Sequence, residues 1–166
     1  MIKLTWHNGE VPKDMLVKQV YGLVFTTDGR LVLMAKEKET GTVYSLAGGT
    51  PEIFDNDREA TLKRELMEEI NITIKKPIMV GYQEVNEGNG KSPYAQVRMV
   101  AMLDEIKKSQ PDPDTGEIYK RILTHPKRAI EKLNWGEIGK LLVEEAVRIA
   151  SVNFNLKEFK DKDEWV

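Results

Sequence analysis

The stretch Gly48–Ile72, GGTPEIFDNDREATLKRELMEEINI, governs how the rest of the chain is read. Residues 57–70, DREATLKRELMEEI, have helical spacing. Leu62, Leu66 and Ile70 recur every fourth residue, and at about 100° per residue they form a buried stripe roughly 80° wide. Asp57 suits the N-cap, because its carboxylate accepts from the free N–H groups of a first helical turn. Glu65, Glu68 and Glu69 fall on an adjoining arc, with Glu65 and Glu69 flanking the apolar stripe, so these acids are expected to be only partly solvated. Their compensation is poor. Glu65 and Glu69 are a like-charge i,i+4 pair, and the helix macrodipole disfavours negative charge near a C-terminal end. Arg64 can pair with Glu68, but one guanidinium does not neutralise three acids. A divalent cation resolves the excess, and an all-oxygen ligand set selects a hard ion such as Mg²⁺ or Mn²⁺. An acidic helix face alone is more often plain solvated surface. The Gly48-Gly49 loop ahead of this one and the arginine within it set it apart.

Working outward, residues 17–25, VKQVYGLVF, are β-branched and aromatic on both alternating faces, which predicts a strand covered on both sides. Asp28-Gly29 is a hairpin signal leading to strands at 31–37 and 43–47. After the helix, strands are expected within 72–85 and 94–104, joined by a mobile connection at Glu87–Ser92. Ser109–Gly116 is a loop, 117–123 a short strand, and helices are expected near 126–133 and 136–150. The charged tail KDKDEW is expected to fray. Strands, helix, strands and helices in that order predict an α/β (α+β) fold, an α/β/α sandwich with a mixed sheet between helices. A single domain over 1–166 is expected.

Composition narrows the chemistry. The chain has 166 residues, 40% hydrophobic and 31% charged, with a net charge of -2. No basic excess calls for DNA or RNA, and metal ions can supply the charge that a polyanionic substrate needs. The absence of cysteine excludes disulfides and thiolate chemistry. His7 and His125 lie too far apart in sequence to suggest a histidine metal cage. No apolar run approaches the roughly 18 residues needed to span a membrane, and the start MIKLTWHNGE lacks a signal-peptide core. A soluble, cytoplasmic protein is expected.

The Gly48–Ile72 stretch resembles the Nudix box, G-x(5)-E-x(7)-R-E-U-x-E-E-x-G-U with U aliphatic. Arg64-Glu65-Leu66-Met67-Glu68-Glu69 matches R-E-U-x-E-E, and Ile72 matches the closing aliphatic position. Gly48-Gly49 and Glu52 resemble the opening Gly-Gly-x-x-Glu of many members. Asn56 stands where the family has its first glutamate, counting back from Arg64. The loop is a residue longer than usual, which leaves the roles of Asp55 and Asn56 open. Asn71 replaces the family glycine, a mild change because asparagine also tolerates the left-handed conformation that ends a helix.

The resemblance implies an activity and a role for each matching residue. Glu65, Glu68 and Glu69 would hold Mg²⁺ or Mn²⁺, with the Gly48 carbonyl as a further ligand. Arg64 would orient a glutamate of the box, and Glu52 would pair with it. Members often add an acid from a later loop, for which Glu117 is the candidate, with Asp112 and Asp114 behind it. The implied reaction is hydrolysis of a diphosphate linkage in a nucleoside diphosphate joined to another group, by metal-activated water attacking phosphorus. Glu65 and Glu117 are both candidates for the general base.

Arg98, in the apolar strand QVRMVAML, and Tyr119 are candidate substrate contacts. An arginine in such a strand more often snorkels at a sheet edge or pairs with an acid, and most strand aromatics are core. Trp135 is expected to be a packing anchor at a helix start. The alternatives are a catalytically silent Nudix-like regulator that binds a nucleotide or nucleotide sugar, and an isoprenoid diphosphate isomerase. The intact R-E-L-M-E-E argues against the first, and the lack of the cysteine that the isomerases use argues against the second. A small nucleotide-type substrate and, by analogy, a homodimer are the expected partners.

Overall fold

Alternation along strand β2 (Leu16–Phe25) assigns the two faces of the sheet. The computed structural model describes residues 1–166. Leu23 and Phe25 point to one face and Val20 and Val24 to the other, and all four are essentially inaccessible. The further strands are β1 (Lys3–Asn8), β3 (Leu31–Lys38), β4 (Gly41–Ser45), β5 (Gly48–Gly49), β6 (Ile72–Asn86), β7 (Tyr94–Ile106), β8 (Lys120–Thr124) and β9 (Glu164–Trp165). They form one nine-stranded sheet in the order β1-β6-β7-β2-β3-β8-β9, with β4 on β3 and β5 on β2. The β2–β7 pair is parallel and the others are antiparallel.

Helix α1 (Arg58–Ile70) covers one face, burying Leu62, Leu66 and Ile70 against Val20, Val24, Val97 and Ala101. Helices α2 (Pro126–Leu133) and α3 (Gly136–Asn153) cover the other, packing Leu142, Val143 and Ala146 against Leu23, Phe25 and Val100. The fold is therefore the expected mixed sheet between helices, each face built from one set of alternating strand residues.

One break in the sheet matters most for function. β2 and β3 pair only beside their turn, Val24 with Val32 and Phe25 with Leu31. Beyond that point β3 runs on against β4 and β8, whereas β2 is taken by β5 through Val20–Gly49 and Tyr21–Gly48. The sheet splays, and the Gly48-Gly49 segment is fed into the opening beside α1.

One end carries a strand not assigned from the sequence, and the other differs from expectation. Residues 3–8 form a strand on β6. The charged tail is not frayed: β9 pairs with β8, Asp163 accepts from Thr124 Oγ1 at 2.6 Å and pairs with Lys132, and Glu164 pairs with the buried Arg30. These partners come from 31 (Lys132 to Asp163) to 134 residues away, so the tail's own composition does not reveal them. No helix is long and apolar enough to cross a membrane.

Candidate active site

The site grows from both ends of α1. Asp57 caps its start, accepting from Ala60 N–H at 2.8 Å. Asn71 ends it in the left-handed conformation, φ 53° and ψ 48°, and its side-chain amide donates to Met67 O at 2.8 Å. Arg121, buried beneath this terminus, donates to Ile70 O at 3.0 Å and Lys107 O at 2.7 Å. Through Ile70 O the guanidinium thus meets the negative end of the helix dipole.

Arg64 is the organiser of the loop. Its Nε donates to Asp55 Oδ1 at 3.1 Å and its Nη2 to Asp55 Oδ2 at 2.9 Å, a bidentate grip. Nη2 also donates to Thr50 O, and Nη1 donates to Glu65 Oε1 at 2.9 Å and Glu68 Oε2 at 3.2 Å. The Asp55 carboxylate accepts further bonds from Thr61 Oγ1 and the Glu52 amide, each at 2.9 Å. The Arg64 guanidinium holds this carboxyl well below the usual range. Glu52 is therefore not the side-chain partner of Arg64, as expected from the sequence. It is exposed and supplies only backbone to a turn closed by Asp55 N–H to Glu52 O. The extra loop residue moves the arginine's acid to Asp55, one position before the family's glutamate.

The remaining acids are under electrostatic stress. Glu65 is buried and its pKa is raised, first by desolvation, with Arg64 opposing and Glu68 and Asp114 adding to the rise. Glu69 is pushed up to about 8, first by burial, then by Glu65, with Asp112 and Glu68 adding, while the Gly48 amide opposes the shift. No cationic side chain balances Glu69. The Glu65 carboxylate lies against the backbone of Gly49, where an added Cβ would stand 2.5 Å from its carbon. A side chain there would fill the space between the loop and the acids. Gly48 has φ +155°, and a Cβ on it would collide with Val20 O, so both glycines are dictated by close approach.

These donors fit a hard divalent ion by their chemistry: carboxylate oxygens, partly buried, with Glu69 left without a cationic partner and Glu65 and Glu68 sharing one nitrogen of Arg64. No three acidic or histidine side chains are gathered in a metal-holding arrangement; Nη1 of Arg64 is hydrogen-bonded to both Glu65 and Glu68. Glu117 is not drawn to the centre. It pairs with Lys36 at 2.7 Å on the exposed surface, and the loop acids whose charges reach Glu65 and Glu69 are Asp114 and Asp112. Asp112 is buried and organises its loop by accepting from Asp114 N–H and Thr115 N–H.

Beside the acids lies a cavity of about 560 Å³ in the splayed part of the sheet, bounded by Gly48, Glu69, Tyr21, Arg98 and Trp135 among others. Arg98 does not snorkel at an edge. β7 is central, between β6 and β2, and the side chain is only 4% exposed. Trp135 packs on the core, as expected of an anchor, and also walls this cavity. Tyr119 is elsewhere: its hydroxyl meets Thr115 at 3.3 Å and its ring packs toward the α1-side core.

A NUDIX domain is recognised over residues 15–149. The chain belongs to the Nudix family. It is a Nudix-type hydrolase. No curated protein sequence matches it. Among solved structures, it is similar to the pyrophosphohydrolase BsRppH of Bacillus subtilis, at 17% identity and TM-score 0.64, over 86% of this chain and 88% of that one. It also resembles a NUDIX hydrolase from Nitrosomonas europaea, at 15% identity and TM-score 0.58, over 78% and 87% of the two chains. The MutT protein of Bacillus halodurans gives 20% identity and TM-score 0.52, over 76% and 80%. At these identities the likeness is one of fold.

Proposed function

We propose that this Nudix protein hydrolyses the diphosphate linkage of a nucleoside diphosphate joined to a second group, in a reaction that depends on Mg²⁺ or Mn²⁺. The observation that carries this reading is Glu69, a half-buried carboxylate with no cationic partner on the wall of a substrate-sized cavity, on the same helix as Glu65 and Glu68. Such a carboxylate serves a cation better than it serves the fold. When bound, the ion supplies positive charge to phosphoryl oxygens and lowers the pKa of an attacking water.

Glu65, Glu68 and Glu69 would hold the ion, with Gly48 offering its carbonyl and with Asp112 and Asp114 as the loop acids whose charges reach Glu69 and Glu65. Arg64 acts as a positioning residue. Anchored by Asp55, it fixes the Glu65 and Glu68 carboxylates through single donors. Glu65, which is buried and has a raised proton affinity, is the better placed of the two candidate bases, since Glu117 is engaged by Lys36. The test is phosphate release from a panel of nucleoside diphosphate compounds in Mg²⁺, Mn²⁺ and EDTA, beside Glu68→Gln. Turnover is expected only with metal, and to fall on the order of 100-fold or more in the variant. Near-normal turnover in a folded Glu68→Gln protein would refute the metal role.

A further inference from the structure

Arg98 is anomalous among the buried arginines. Arg30 is held by Asp28 and Glu164, and Arg121 by the backbone carbonyls of Ile70 and Lys107. Arg98 has no carboxylate partner. Its Nη1 donates to Gln96 O at 3.2 Å and Val97 O at 3.4 Å, its Nη2 reaches Gln96 Oε1 only at 3.5 Å, and Nε has no partner at all. A buried guanidinium left short of acceptors is costly unless something else supplies them.

Part of that compensation is aromatic. The guanidinium lies 4.7 Å from the centre of the Tyr21 ring and 5.8 Å from that of Trp135, and ring faces attract cations. The deficit that remains is one of hydrogen bonds. Arg98, Tyr21 and Trp135 share the wall of the 560 Å³ cavity with Gly48 and Glu69, so whatever fills it lies next to the acidic centre. The volume suits a group of nucleoside size. Leu4, Leu46 and Ile138 contribute apolar wall, and Gln83 and Gln96 bring amides. A bare phosphate does not match that apolar wall. A planar heterocycle with acceptors on one edge matches both the wall and the guanidinium.

We propose that this cavity receives the base of the substrate, and that Arg98 selects a purine bearing a 6-oxo group, guanine or hypoxanthine, over adenine. A guanidinium complements the adjacent O6 and N7 acceptors of a 6-oxopurine, whereas adenine presents an N6 amine donor at the first of these positions. The assignment rests on the hydrolase reading in taking the cavity beside Glu69 as the substrate's, but the contact itself needs no metal.

Calorimetric binding of GMP, IMP and AMP in EDTA tests it, with wild-type protein and Arg98→Gln. GMP and IMP are expected to bind about tenfold or more tighter than AMP, and Arg98→Gln is expected to bring all three within about threefold of one another. IMP isolates the 6-oxo contact because it lacks the 2-amino group. Equal binding of AMP and GMP by the wild type overturns the proposal. So does a preference that survives in Arg98→Gln. A third arm with GDP and ADP reassigns Arg98 to phosphate if the variant weakens both equally, whatever the base. Should the variant fail to fold by circular dichroism, the wild-type comparison of IMP with AMP still decides. Turnover with Mg²⁺ is followed in parallel. A base preference without turnover removes the hydrolase reading and keeps the pocket, and turnover without a base preference does the reverse.

Discussion

Asp55 shows how much one side chain can organise. Its carboxylate collects two bonds from Arg64, one from Thr61 and one from the Glu52 amide. In Asp55→Ala the guanidinium, only 18% exposed, keeps its charge and loses its main partner. We expect a loss of about 2–3 kcal/mol in urea unfolding, in line with hydrogen bonds to charged groups. Turnover is expected to fall as well, because Glu65 and Glu68 are steadied through the same arginine. Glu52→Ala removes an exposed side chain and should change stability by less than about 0.5 kcal/mol. Equal effects from the two substitutions would show that the loop tolerates either acid as the partner. The sequence alone favoured Glu52 because the Gly-Gly-x-x-Glu spacing is what stands out. A loop one residue longer shifts which acid faces the helix, and helical periodicity carries no information about a loop's internal register.

At the scale of the element, α1 was the most legible part of the chain. Its apolar stripe, N-cap and C-cap all mark the same ends, so local signals agree with tertiary packing. Asn71 carries a testable share of this. Alanine there must adopt φ 53° without the benefit of an asparagine side chain, and it loses the bonds to Met67 O and from Gln110 N–H. Asn71→Ala is expected to lower stability by about 1–2 kcal/mol in chemical denaturation. Asn71→Gly, which relieves the backbone term, should recover part of the loss; no difference between the two would place the whole effect in the side-chain bonds. The elements that were not legible depend on distant partners. β1 and β9 are edge strands in polar sequence, fixed by β6 and β8. The burial of Arg98 follows from strand order, since the same sequence on an edge strand would have let it reach solvent. Strand order is set by long-range pairing that no short window of residues contains.

For the molecule as a whole, the acid cluster makes stability, pH and metal a single problem. In metal-free protein, Glu69 titrates at about 8, against an ordinary value of 4.5. Between those limits the folded state holds a proton that the unfolded state has released, so stability falls as pH rises through the window. Glu65, also raised, works in the same direction. Asp55 works in the opposite one: its contribution is complete above its ordinary value of 3.8 and is lost as pH drops below it. Thermal melts in EDTA are therefore expected to decline from pH 6 to pH 9, and Glu69→Gln, which has no charge to release, should flatten the decline. A cation that takes its charge from these carboxylates reverses the penalty. At about 100 times its dissociation constant it adds roughly 2.7 kcal/mol, or on the order of 5–10 °C for a chain of this size. That gain should be largest at alkaline pH, where the ligands are already ionised, and much reduced in Glu69→Gln. A melting temperature indifferent to Mg²⁺ and Mn²⁺ at pH 8.5, together with a pH slope unchanged by Glu69→Gln, would mean that the charge on this helix is neutralised from within the fold and that the ion has no place in it.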